Sequence, residues 1–109
     1  MDVEYGKYLK DTTTPKNGTK AGKEYMERVK RLTCCTLGCH RTPCDAHHIR
    51  DVHVGTGRKS SDFETIPLCK GCHQTDKYSV HNSQKTWERL NGTQRHHSKE
   101  TQKNLGYKS

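Results

Sequence analysis

The sequence predicts a small α+β domain in which zinc stabilises a short β-hairpin with flanking helices. Three observations predict it. Two thiol pairs, Cys34-x4-Cys39 and Cys69-x2-Cys72, bracket two short segments of strand character. Only 28% of the 109 residues are hydrophobic and the mean hydropathy is -1.19, too little for a generous apolar core. Domains so built usually rely on a metal or on disulfides. Finally, residues 1–33 contain no apolar run of signal-peptide type and no membrane span. A reducing, cytoplasmic setting is therefore expected, and there C-x2-C spacings bind metal more often than they oxidise.

The elements follow in chain order. Residues 1–22, rich in Thr, Lys and Gly, read as a flexible N-terminal arm. Over 23–32, Tyr25, Met26, Val29 and Leu32 fall at i, i+1, i+4 and i+7, which predicts a helix with one apolar stripe. Residues 34–44 form a cysteine-rich knuckle, and Gly38 permits a tight turn ahead of Cys39. Residues 45–49 form a short strand. Residues 50–62 are a polar loop containing Gly55, Gly57, Arg58 and Lys59. Phe63 to Leu68 form a second strand with Ile66 and Leu68 on one face. A helix is expected to open at the second knuckle, Cys69–Cys72. Asn82 or Ser83 caps a further helix that Trp87 anchors in the core and Asn91-Gly92 stops. Residues 92–109 are polar, basic and aperiodic and are expected to be a frayed tail. The folded domain is thus placed at 23–91.

Four thiolates around one zinc make a closed, structural site. Cys34 and Cys39 with Cys69 and Cys72 would tie the segment before the first strand to the segment after the second. Cys35-x3-Cys39 reaches as well, so Cys34 and Cys35 remain alternatives. Cys44 is spare, and unligated cysteines at 35 and 44 read as small buried hydrophobes. His47 and His48 are adjacent, so on a strand they point to opposite faces. That suggests a division of labour in which one ligates an ion and the other acts as a base, a task suited to an imidazole near neutral pH. His73 follows the second knuckle and can reach back towards His47. Asp62 can bond a histidine or fix the loop backbone. His81 lies about 12 Å along the axis from His73 if one helix carries both, which reads as a packing or surface histidine unless the helix breaks near Ser79. The net charge of +8 points to a polyanion partner. Arg50, Arg58 and Lys59 flank the site and are candidate phosphate contacts. No segment has the large apolar face that a lipid surface would need, so no membrane is expected.

The ordered set Cys34–Cys39, Asp45-Ala46-His47-His48-Ile49-Arg50, Gly57-Arg58-Lys59-Ser60-Ser61-Asp62, Ile66-Pro67-Leu68-Cys69-Lys70-Gly71-Cys72-His73 and His81-x2-Gln84-x2-Trp87 resembles the HNH endonucleases. It is most similar to their small phage and prophage branch, of the Ref and YbcO recombination-enhancement type, over roughly residues 32–90. The resemblance implies the ββα-metal (HNH) fold and hydrolysis of DNA phosphodiester bonds, by nicking or cutting, in phage DNA recombination or processing inside a bacterial host. It implies that His48 is the general base, that His47 and His73 ligate one catalytic ion, Mg²⁺ or Mn²⁺, and that Asp62 stands where most of the family has Asn and orients His48. It also implies a structural Zn²⁺ on the four cysteines, DNA as substrate, and a recombinase or other phage DNA-processing protein as partner. The contrasting expectation is a zinc-binding nucleic-acid adaptor without catalysis, which the thiols and the charge would serve equally well. A zinc-stabilised protein-interaction module would leave the histidines and the charge without a role.

Overall fold

A computed structural model describes residues 17–54 and 58–107. Residues 1–16 of the expected arm, Gly55 to Gly57 of the loop, and the last two residues lie outside the described residues. The molecule is a small α+β domain. Helix α1 (Lys20–Lys30) precedes an antiparallel hairpin of β1 (Asp45–His48) and β2 (Thr65–Leu68). A π-helical turn (Gly71–Thr75) follows, then α2 (Gln84–Asn91) and α3 (Gln94–Asn104). No helix among the described residues is long and apolar enough to cross a membrane.

Helix α1 starts three residues earlier than the apolar stripe suggested. Thr19 is its N-cap and accepts the Gly22 amide at 3.0 Å, supplying one of the donors that a helix start leaves open. Tyr25 and Val29 are fully buried, and Met26 and Leu32 partly so. The stretch 17–22, assigned to the arm from its composition, is instead joined to the domain. Asn17 Nδ2 donates to the Ser60 carbonyl at 3.0 Å, and the Gly18 amide donates to Asp62 at 2.8 Å. Polar side-chain contacts of this kind leave no mark on hydropathy.

In the hairpin, Asp45 pairs with Leu68, Ala46 with Pro67, His47 with Ile66 and His48 with Thr65. All four residues of β2 are buried. Pro67 costs the ladder no bond. Its carbonyl accepts the Cys35 amide at 2.9 Å, so its backbone polar side faces the first knuckle and away from β1. Phe63 lies outside the strand. Its ring joins Tyr25 and Tyr107, with centroids 5.0 Å and 5.9 Å away, in a cluster linking α1 to the C-terminal segment.

A second cluster holds Ile49, Ile66, Leu68, Val80 and Trp87 with Cys34, Cys44 and Cys69. Three of its eight members are cysteines, and two of them, Cys34 and Cys69, are among the thiols that could bind metal. Trp87 is 2% exposed and donates through Nε1 to Thr36 at 3.0 Å. Gly92, at φ 94°, ends α2 as Asn91-Gly92 suggested.

The frayed tail expected over 92–109 is corrected by α3. Thr93 caps that helix by accepting the His96 amide at 3.1 Å, and the helix packs on β2. Its buried stripe is Gln94, Ser98 and Thr101. The spacing is helical but the residues are polar, so apolar periodicity could not detect it.

Candidate metal centres

The first centre is built from both knuckles. The Sγ atoms of Cys34, Cys39, Cys69 and Cys72 all lie within 4.8 Å of one another. Cys39 and Cys69 sulfurs are 3.8 Å apart, against about 3.8 Å for two thiolates held about 2.3 Å from a tetrahedral ion. Local turns create the approach. The Cys39 amide donates to the Thr36 carbonyl at 3.0 Å, and Gly38 takes φ 78°, a region open to glycine. Among the described residues all six cysteines are free. The donor set fits a structural zinc, and of the two alternatives the geometry selects Cys34. Cys35 and Cys44 stay outside the circle as core packing, and burial pushes the Cys44 thiol up to about 12. Burial would raise Cys69 too, but the Cys72 amide and the neighbouring thiols outweigh it and bring it down to about 7. Burial raises the Cys72 thiol. The bond to Arg41 would lower Cys39, but burial and the neighbouring thiols outweigh it and raise that thiol too. Cys69 is thus the thiol most readily ionised, and a bound ion would have to draw the others into the thiolate form.

The second centre joins the strand to the chain beyond the second knuckle. One ring nitrogen each from His47, His73 and His81 lies within a 4.8 Å circle. His47 Nδ1 is 3.1 Å from His73 Nε2, and His81 Nε2 is 3.0 Å from the same atom. Two imidazole nitrogens on a tetrahedral ion about 2.1 Å away would be about 3.4 Å apart, a few tenths of an ångström more than these spacings, so a small movement of the rings would let the three donors share one cation. Asp45, two residues before His47 on β1, places Oδ2 2.8 Å from His73 Nδ1. A carboxylate behind the ring makes Nδ1 the protonated nitrogen and leaves Nε2 with its lone pair facing inward. Burial pushes the His47 pKa down to about 4, and burial followed by the charge of His73 lowers His81. Both shifts keep the neutral form that a metal requires.

His81 is the site residue that helical spacing missed. The chain after Cys72 makes only a π-helical turn and leaves it at Asp76, in extended backbone. It then doubles back. The Val80 amide donates to Cys72 O at 2.9 Å and the His81 amide to His73 O at 3.2 Å. Asn82 clips the turn by donating to the carbonyls of Gln74 and Asp76, each at 2.9 Å. The helical turn ends at Asp76, three residues before the break near Ser79 on which His81 was expected to depend, and His73 and His81 share a centre because no single helix carries both.

His48 stands outside this circle. As strand alternation requires, it faces away from His47. Its Nε2 lies 2.8 Å from Oδ1 of Asp62. Asp62 is 3% exposed. Burial would raise its carboxyl, but the Gly18 amide and His48 hold it below the usual carboxylate range. Nδ1 of His48 has no protein partner among the described residues and is the nitrogen left to take a proton. Arg50 is exposed and close enough for its charge to act on His81. Lys59 is exposed and acts in the same way on Asp62. Arg58 is exposed as well.

A family model described as "Protein of unknown function (DUF968)" matches residues 7–106. No curated protein and no solved structure matches the chain.

Proposed function

The chain belongs to the DUF968 family, and we propose that it works there as a metal-dependent HNH-type endonuclease that hydrolyses DNA phosphodiester bonds. The observation that carries this reading is the convergence of His47, His73 and His81 within 4.8 Å, with His47 on a strand that also bears His48 bonded to a buried carboxylate. Hairpin, knuckle and helical turn follow in the order of a ββα-metal unit. His47, His73 and His81 would hold the ion. When bound, it would supply Lewis-acid stabilisation of charge on the phosphate and the departing 3′ oxygen. His48, oriented through Nε2 by Asp62, would take the proton of the attacking water on Nδ1. Arg50, Arg58 and Lys59 would steer the backbone of DNA by charge. An all-imidazole donor set suits Zn²⁺ or a neighbouring first-row ion better than the oxygen-seeking Mg²⁺ or Mn²⁺.

The test is nicking of supercoiled plasmid by wild type and His48→Ala in Zn²⁺, Ni²⁺, Mn²⁺ and Mg²⁺, with a gel-shift assay alongside. Loss of a general base costs about 10²- to 10⁴-fold, so the variant should bind DNA and fail to nick it. Equal nicking by both proteins would reveal a contaminant. DNA binding without cleavage in any ion would favour the adaptor, which needs only the four thiols and the positive charge.

A further inference from the structure

Gln94 is fully buried at the first turn of α3, outside the part of the chain where the chemistry was expected. Its Oε1 lies 2.9 Å from the Arg50 amide nitrogen and 2.9 Å from His47 Nε2. The Arg50 amide can only donate, so the atom facing it must be the amide oxygen and the side chain cannot be flipped. An oxygen cannot donate in turn, so the second group at hydrogen-bond distance, His47 Nε2, must carry a proton. The neutral ring then has its lone pair on Nδ1, the atom 3.1 Å from His73 Nε2. On His73 the Asp45 carboxylate leaves the lone pair on Nε2. The two rings thus face each other with two acceptors and no proton between them, an arrangement that a shared cation relieves.

We infer that Gln94 is a positioning residue: it locks His47 in the Nε2–H tautomer so that Nδ1 is the metal-binding atom, making α3 part of the centre. This rests on the imidazole cluster binding a cation and not on what the site cleaves. Among the described residues the Gln94 amide nitrogen has no partner, a cost that a simple packing residue would not need to bear. A glutamate of the same shape offers the same acceptor; a leucine offers none.

The experiment uses the full chain with zinc on its thiols and ¹⁵N-labelled histidines. Long-range ¹H–¹⁵N spectra read the His47 tautomer before any ion is added to the imidazoles, and the visible absorption of added Co²⁺ then reads affinity there. Wild type should show His47 protonated on Nε2. Gln94→Leu should lose that preference and bind Co²⁺ about 10- to 100-fold more weakly, the usual cost of removing a ligand's supporting partner, while Gln94→Glu should keep both. A wild-type His47 protonated on Nδ1 would overturn the inference without any variant having to fold. So would a Gln94→Glu protein as weak as Gln94→Leu, or a Gln94→Leu protein unchanged in both readouts. If wild type shows the Nε2–H tautomer but takes up no Co²⁺ at the histidines, the metal reading fails and with it the purpose assigned to Gln94. Nuclease activity enters none of these measurements.

Discussion

One carboxylate, Asp62, couples His48 to the start of α1. Oδ1 bonds His48 at 2.8 Å, and Oδ2 accepts the Gly18 amide at 2.8 Å. Asn17 completes the clasp, its Oδ1 accepting the Asp62 amide at 2.9 Å. The candidate base is therefore oriented by a segment some thirty residues upstream. Asp62→Ala should slow single-turnover nicking at least about tenfold, because His48 loses its orienting partner. It should also destabilise the fold by about 1–3 kcal/mol, the cost of leaving buried donors unpaired. Asp62→Asn keeps an acceptor and should lose less of both. A fully active Asp62→Ala protein would remove Asp62 from the reading.

Gly22 sits under the same carboxylate. A Cβ at this position would lie 2.7 Å from Asp62 Oδ2. Helix propensity alone favours Ala over Gly by about 1 kcal/mol. Forcing an extra carbon into a packed site costs about 1–3 kcal/mol. The clash should win. Gly22→Ala is expected to melt lower than wild type and to lose nicking activity as Asp62 is displaced. A higher melting temperature would mean that the clasp yields.

The thiol centre separates cysteines that spacing could not. Elemental analysis should find one thiol-bound zinc in wild type and in Cys35→Ser, and none in Cys34→Ser. Cys72→Ser should unfold, since structural zinc in small domains contributes about 10–16 kcal/mol and these sulfurs also fill the core. A folded, zinc-free Cys72→Ser protein would contradict this account.

His81→Ala should bind Co²⁺ at the imidazole centre at least about tenfold more weakly while keeping its thiol-bound zinc, because the deleted ring supplies one of three donors. Unchanged affinity would make His81 a bystander.

Arg95 ties α3 to the loop after β1. It donates to Asp51 at 2.6 Å and 3.2 Å, and to Glu64 at 3.0 Å. The guanidinium holds the Asp51 carboxyl below its ordinary range. A carboxyl depressed by folding adds stability above its unfolded pKa and loses it as pH falls through the folded one. The stability difference between wild type and Arg95→Met, in excess zinc, should be flat above about pH 5 and shrink below about pH 4. A difference that grows on acidification would reverse the sign and discard the pair.

The parts that were legible in the sequence are those where chemistry is written in spacing. The two thiol pairs, His47 with His73, and Asp62 as a histidine partner could be named because thiols and imidazoles are few and their reach is short. His81 was not legible. Its place depends on a π-helical turn and on an asparagine clipping two carbonyls, while counting along the chain assumes that a helix continues. Helix α3 escaped for a different reason. It buries Gln94, Ser98 and Thr101, and a polar interface has the composition of a solvated tail. The choice of Cys34 over Cys35 was equally hidden, because it turns on the Cys35 amide being drawn to Pro67.

Cys72 and His73 are consecutive, so the two centres are joined by one peptide bond. A chelator strong enough to strip the sulfur cluster would disarm the imidazoles second-hand by releasing the backbone that carries them. Loss of the proposed nuclease activity in EDTA would therefore not reveal which centre that chemistry needs. Add-back experiments must refill the scaffold before they can identify the working ion.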